Sequence, residues 1–293
     1  MGKITSLIEF HGSVGNLTGY RGRDGRNVIR QKIYDPRNAK TPLQMRRRVA
    51  WGNLVNLWAL IMNFMKPSFT NKAKGQTDYN AFMKANVDAN PVYMTKKEVA
   101  KGGVIVSPVV VTSGVLPAIG VSLVSGGKMQ SSLSLGDLEL SSETTVGAFS
   151  HAIIQNNEGW QNGDQLSALL VLQQQYDEVA GVSRAKASFA SVILDETSYT
   201  LLYDVVSDAC FSASQGYLAT KSPVQGGVAW IQSRKVDGET QVSNQSLTVN
   251  NQALSDYTSK AAQDAAIASY GGQNVFPLTP TGNQYQPSEN AMP

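Results

Sequence analysis

The chain has 293 residues with 25 Lys and Arg, 22 Asp and Glu, 2 His and 1 Cys, for a formal net charge of +3. A single cysteine excludes an internal disulfide framework and a Cys-built zinc site, and two histidines leave little room for a His-rich metal centre or a His-based triad. Charged residues make up only 16% of the chain, against roughly 25% in an average soluble protein, and Ser, Thr, Asn, Gln and Gly fill the difference.

Taken in chain order, residues 3–33 predict short strands. Ile4, Leu7, Ile8 and Phe10 are apolar, and Gly12-Ser13-Val14-Gly15 reads as a turn-rich break. Leu17–Arg21 and Asn27–Ile33 flank Gly22-Arg23-Asp24-Gly25-Arg26, and Asp-Gly between two β-prone runs signals a hairpin. Alternation puts Val28, Arg30 and Lys32 on one face, and Asn27, Ile29, Gln31 and Ile33 on the other.

Thr41-Pro42-Leu43-Gln44 has the pattern of a capping box with proline at the first helical position. Leu43, Arg47, Ala50, Trp51, Leu54, Leu57, Trp58, Ile61, Phe64 and Met65 then recur at three- and four-residue spacing, which predicts a long amphipathic helix stopped by Pro67. A second helix is expected over Thr77–Val87. A third begins at Thr95, with Glu98 completing a capping box, and stops at Gly102-Gly103.

From Val104 onward the chain changes to short β-prone runs separated by Gly, Asn, Asp, Ser or Pro: 104–106, 109–111, 120–123, 133–135, 148–154, 165–174, 187–194, 199–206 and 228–232. Repeated strands at such spacing predict an antiparallel sandwich or barrel. In the 165–174 run, apolar residues occupy both alternating sets, so this strand should be central and covered on both faces. Val236-Asp237-Gly238-Glu239-Thr240 predicts a second hairpin. Residues 254–270 can form a helix, and the Pro- and Gly-rich residues 271–293 read as a flexible tail. The expected fold class is therefore α+β: a small hairpin-and-helix domain over 1–102, a larger β-sandwich-like region over 103–250, a helix over 251–270 and the tail.

The charge is divided unevenly. Residues 1–110 hold 18 Lys and Arg against 6 Asp and Glu, while residues 111–293 hold 7 against 16, so +3 is a cancellation of +12 and −9. Such polarity points to a polyanion- or partner-binding end, and it fits a head-to-tail contact between copies. The basic constellation is Arg21, Arg23, Arg26, Arg30, Lys32, Arg37, Lys40, Arg46, Arg47 and Arg48, with Tyr20 and Tyr34 interleaved. Arginine forks suit phosphate or carboxylate, and tyrosines can stack on bases. Arg46-Arg47-Arg48 lie near the positive end of their own helix, a cost that an acidic partner would offset.

Catalytic chemistry is harder to find. Cys210 sits in an apolar β-like context with nothing nearby to lower its pKa, which is the setting of a small buried hydrophobe. His151 falls in an alternating run and His11 in a turn. Gly126-Gly127-Lys128-Met129 lacks the spacing and the hydroxyl residue of a phosphate loop. No cofactor or metal is expected. No apolar run approaches the roughly 20 residues of a membrane helix, and the N-terminus has no secretory apolar core, so a protein made in the cytoplasm and independent of membranes is expected.

The order Gly15-Asn16-Leu17-Thr18-Gly19-Tyr20, Arg26-Asn27-Val28-Ile29-Arg30, Asn38-Ala39-Lys40-Thr41-Pro42-Leu43-Gln44 and Tyr79-Asn80-Ala81-Phe82 resembles a family of uncharacterised proteins of Bacteroidetes and their phages and mobile elements. Those proteins share a Gly-rich N-terminal hairpin, an Asn-x-[Arg/Lys]-Thr-Pro-x-Gln helix start and a Tyr-Asn-x-Phe helix. The resemblance covers about residues 1–90, and Val228–Arg234, Asp237-Gly238 and Val242–Gln245 are similar to a hairpin signature of the same group. It implies a phage or mobile-element structural protein; with the charge division and the missing catalytic set, the expectation is a non-enzymatic structural or assembly protein, a capsid- or tail-associated virion component. The expected partners are other virion or assembly subunits and further copies of the chain. The alternative is a cytoplasmic nucleic-acid-binding protein using the Arg-rich hairpin and helix start.

Overall fold

Gly-rich turns and short β-prone runs fold the start of the chain into a four-stranded antiparallel sheet: β1 (Gly2–Lys3), β2 (Gly12–Val14), β3 (Leu17–Arg21) and β4 (Asn27–Gln31), in the order β1-β4-β3-β2. The computed structural model describes residues 2–3, 11–22, 25–32, 34, 42–64, 67–87, 94–174, 179 and 182–250. The expected hairpin is present, with Arg21 paired to Asn27 across the loop. The expected break over residues 12–15 is corrected: Gly12–Val14 pair with β3, and the turn is Gly15-Asn16, where Gly15 has φ 53°. This sheet lies in one compact unit (residues 1–40), and the rest of the chain forms a second.

The second unit begins with α1 (Pro42–Ile61), α2 (Asp78–Asn86) and α3 (Lys96–Ala100). Thr77 caps α2 by accepting from the Asn80 N–H, and Thr95 and Glu98 form the expected capping box on α3. α1 ends at Ile61, before Pro67. Its buried stripe is Ala50, Leu54, Leu57, Trp58 and Ile61, whereas Trp51 and Phe64 of the expected stripe stay exposed. The chain continues through β5 (Val110–Thr112), β6 (Val121–Leu123), β7 (Met129–Ser134), α4 (Val146–Asn156), β8 (Gln165–Gln173), β9 (Ala185–Ile193) and α5 (Leu202–Val205). It then forms β10 (Ser212–Ser214), β11 (Tyr217–Ala219), β12 (Gly226–Val236), β13 (Glu239–Val242), β14 (Gln245–Ser246) and β15 (Thr248–Val249).

Strands β13-β12-β8-β9, with β15 also on β12, make an antiparallel central sheet. As expected, β8 is central and covered on both sides. Leu166, Ala168 and Leu170 join Val228 and Trp230 of β12 in one core, and Leu169 and Val171 join Ala229 and Ile231 in the other. Period-two alternation of two apolar sets requires this arrangement. The first core is closed by the small sheet β10-β11-β7-β6 and by α4. The second is closed by α1 and α2, with Trp58 and Phe82 rings 5.0 Å apart. The β12–β13 hairpin turns through Asp237 and Gly238, both at positive φ (52° and 82°), the geometry of a tight two-residue turn.

The fold class is α+β, with sandwich-like packing of two antiparallel sheets. Four local differences stand against the sequence reading. Of the three helices expected to share a domain with the hairpin, α1 and α2 bury their stripes on the central sheet, because they need an apolar surface of matching size. Residues 148–154, read as a strand, lie in α4: Thr145 caps it, and Val146, Phe149 and Ile153 share a helical face. Within 199–206 the regular element is the single turn α5. Val104-Ile105-Val106 is buried but forms no ladder; the Val104 N–H donates to Ser183 O, while Val104 O, the Ile105 N–H and O and the Val106 N–H bond to the Asn53 and Gln173 side chains. The expected cap at Thr41, the helix over 254–270 and the tail over 271–293 lie outside the described residues.

Candidate partner-binding face

In the N-terminal sheet, residues paired across antiparallel strands share a face. Thr18 pairs with Ser13 and Arg30, and Tyr20 with Val28, so Ser13, Thr18, Tyr20, Val28 and Arg30 point one way. The Ser13 and Thr18 hydroxyls meet at 3.1 Å on that side. The Arg30 guanidinium stands 5.8 Å from the centre of the Tyr20 ring. Lys32 follows at the same alternation, held by its N–H donating to Asn16 O at 2.8 Å, and its ammonium is 5.1 Å from the Tyr34 ring. Tyr34 is fixed by its hydroxyl, which donates to Gly15 O at 2.8 Å. An exposed cation–aromatic contact is worth about 0.5–1 kcal/mol, enough to bias these side chains toward a preset surface.

Twelve residues were expected to form the binding surface, and the structure brings four of them together: Tyr20, Arg30, Lys32 and Tyr34. Arg21 points to the opposite side, where its Nε donates to Gly25 O at 3.3 Å and ties the hairpin loop. Arg26 is exposed in that loop, and Arg48 is exposed on α1, in the second unit. Arg46 and Arg47 lie in α1, with side chains outside the description, and Arg23, Arg37 and Lys40 lie outside the described residues. The opposite face carries Val14 and Leu17, directly paired and 64% and 48% exposed. The sequence hides this apolar pair, because Val14 stands between glycines in a run with the composition of a turn.

The second unit contains a cavity of about 430 Å³ between the end of α1 and the central sheet, lined in part by Phe64, Ser167, Phe189, Ile193, Ser233 and Lys235. Phe64 and Phe189 stack there at 5.8 Å. Next to this end of the sheet, Asp164 is fully buried and makes two hydrogen bonds with the Arg234 guanidinium (2.6 and 2.7 Å) and one with Gln232 Nε2 (2.8 Å). That carboxylate holds Arg234 above its ordinary pKa and is fully engaged in the fold.

The other chemistry-bearing residues are also engaged structurally. Cys210 is buried, and desolvation pushes its thiol up to about 12, so it is a neutral core side chain. His151, expected in a strand, is on the exposed side of α4 with Nδ1 2.9 Å from Glu196 Oε1. Asp195 accepts from the Thr197 hydroxyl (2.7 Å) and N–H (2.9 Å), which holds its carboxyl below the usual range. Among the described residues no helix is long and apolar enough to cross a membrane. Comparison with protein-family models, curated proteins and solved structures finds no match.

Proposed function

We propose that the chain is a non-enzymatic structural or assembly protein, a capsid- or tail-associated component of a phage particle that docks through its basic N-terminal sheet. The observation that carries the reading is the face formed by Tyr20, Arg30, Lys32 and Tyr34. Two cations there are each backed by an aromatic ring, in a 40-residue unit holding 8 Lys and Arg against 3 Asp and Glu. A small sheet with exposed polar and apolar faces spends its side chains on contact with something else. The resemblance to Bacteroidetes phage and mobile-element proteins supplies the setting. In density gradients of particles from the source organism, the protein should migrate with the particles, and Arg30→Glu/Lys32→Glu should move it to the top of the gradient. Its absence from purified particles overturns the reading.

The same pairing of cations with tyrosine rings also suits a single-stranded nucleic acid, whose backbone and bases need those two groups. That reading requires retention on DNA or RNA that weakens steeply with salt and disappears in Arg26→Glu/Arg30→Glu/Arg47→Glu.

A further inference from the structure

The acidic residues of the second unit are gathered in one stretch of the chain. Residues 129–220 hold 11 Asp and Glu against 2 Lys and Arg, a balance of −9 that accounts for the whole deficit of residues 111–293. The fold gathers much of this charge around α4. The loop before α4 runs from Gly136, beside Asn156 at the helix end, to the Ser141–Thr144 turn at its start, and it exposes Asp137, Glu139 and Glu143. The loop after β9 is bonded to the same helix start: the Val146 N–H donates to Thr200 O (2.8 Å), the Gly147 N–H to Ser198 O (3.0 Å), and the Leu202 N–H to Thr144 O (2.8 Å). It exposes Asp195 and leads into Asp204 on α5. Between the loops, α4 presents Ala148, His151 and Gln155, a low strip of one helical face.

This surface is also aromatic and apolar. Tyr199 is 93% exposed, and Leu201 and Val205 are exposed beside it. Isolated exposed hydrophobes need no explanation, but three within seven residues, set among carboxylates, have the composition of a contact patch. Its sign and its aromatic content complement the face of Tyr20, Arg30, Lys32 and Tyr34.

We infer that the acidic face around α4 is the acceptor for the N-terminal sheet of a second copy of this chain. The inference rests on the docking reading above and names its partner. The two surfaces differ, so the contact is heterologous: each copy offers one donor and one acceptor, and assembly continues head to tail until a ring closes or the chain stays open. Opposed exposed charges make the contact sensitive to salt and fast to form.

The test is sedimentation of the full chain across a concentration series at low and high salt. The donor variant is Arg30→Glu/Lys32→Glu, and the acceptor variant is Glu139→Lys/Glu143→Lys; their thermal unfolding is recorded to confirm that both fold. Wild type should grow in mass with concentration and return to monomer at high salt. Each variant alone should form no head-to-tail chain. A 1:1 mixture should stop at heterodimers, because it contains one intact donor meeting one intact acceptor. A monomeric wild type at every concentration overturns the inference, as does an acceptor variant that assembles like wild type. If the acceptor variant behaves so while the donor variant loses particle association, the docking reading stands and only this acceptor fails. If the donor variant assembles and joins particles normally, the docking reading itself fails.

Discussion

Asn53 shows how side chains substitute for secondary structure in this protein. It is buried on α1, donating through Nδ2 to Ile105 O and accepting at Oδ1 from the Ile105 N–H, both at 2.9 Å. Asn86 on α2 does the same for Val110 (2.9 and 2.7 Å), and Gln173 accepts from the Val106 N–H at 2.9 Å. An amide side chain offers one donor and one acceptor in the geometry of a peptide group, so it can take the place of a neighbouring strand. This is why 104–106 is buried without a ladder, and it gives the amide-rich, charge-poor composition a structural use. Removing such a side chain strands two buried backbone groups at about 1–3 kcal/mol each. Asn53→Ala and Asn86→Ala should each lower unfolding free energy by roughly 2–6 kcal/mol in urea titration, with the slope unchanged. A loss below about 0.5 kcal/mol, the range of ordinary surface changes, would contradict the role. None of this was legible in the sequence. A clamping asparagine has the same signature as one on a solvated helix face, and its partner is 52 residues away.

At the scale of elements, what could be read locally was read well. The helix over Thr77–Val87, the capping box of Thr95 and Glu98, the Asp-Gly turn of β12–β13 and the two-sided burial of β8 follow from spacing within one segment. α4 was misread because Ala148-Phe149-Ser150-His151-Ala152-Ile153-Ile154 mixes small and apolar residues in a way that fits either period, and the deciding signal, Thr145 as a cap, lies just outside the run. Tertiary contact then completes the helix. A Cβ on Gly147 would lie 2.6 Å from Ser198 O and 2.9 Å from Glu196 O, so only glycine lets the 195–201 loop seat on the first turn. Gly147→Ala should cost about 1–3 kcal/mol as overpacking against backbone, despite the better helix propensity of alanine. Thermal unfolding measures it; a stabilised variant would show that the loop is not seated there. Because that loop carries Asp195 and Tyr199, the same substitution should weaken self-assembly.

At the scale of the molecule, the charge division was legible as +12 against −9, but its address was not. The sequence boundary near residue 103 follows the change from helices to strands. The structure divides the chain between residues 40 and 41, because α1 and α2 complete the second core. The basic set read as one patch is therefore divided between the N-terminal sheet and a helix of the other unit. Only the folded sheet shows which members lie together: strand register puts Arg30 and Lys32 with their tyrosines on one face and turns Arg21 away. If this face docks on the acidic face of another copy, Tyr20 comes within crosslinking reach of that face. The decisive experiment places a photo-reactive benzoylphenylalanine at Tyr20 in the full chain, mixes it with isotope-labelled wild type and maps the crosslinks. Docking should give crosslinks to residues 137–143 and 195–205 of the labelled copy that fade as salt rises. Crosslinks confined to nucleic acid, or to other surfaces of the labelled copy, would contradict it.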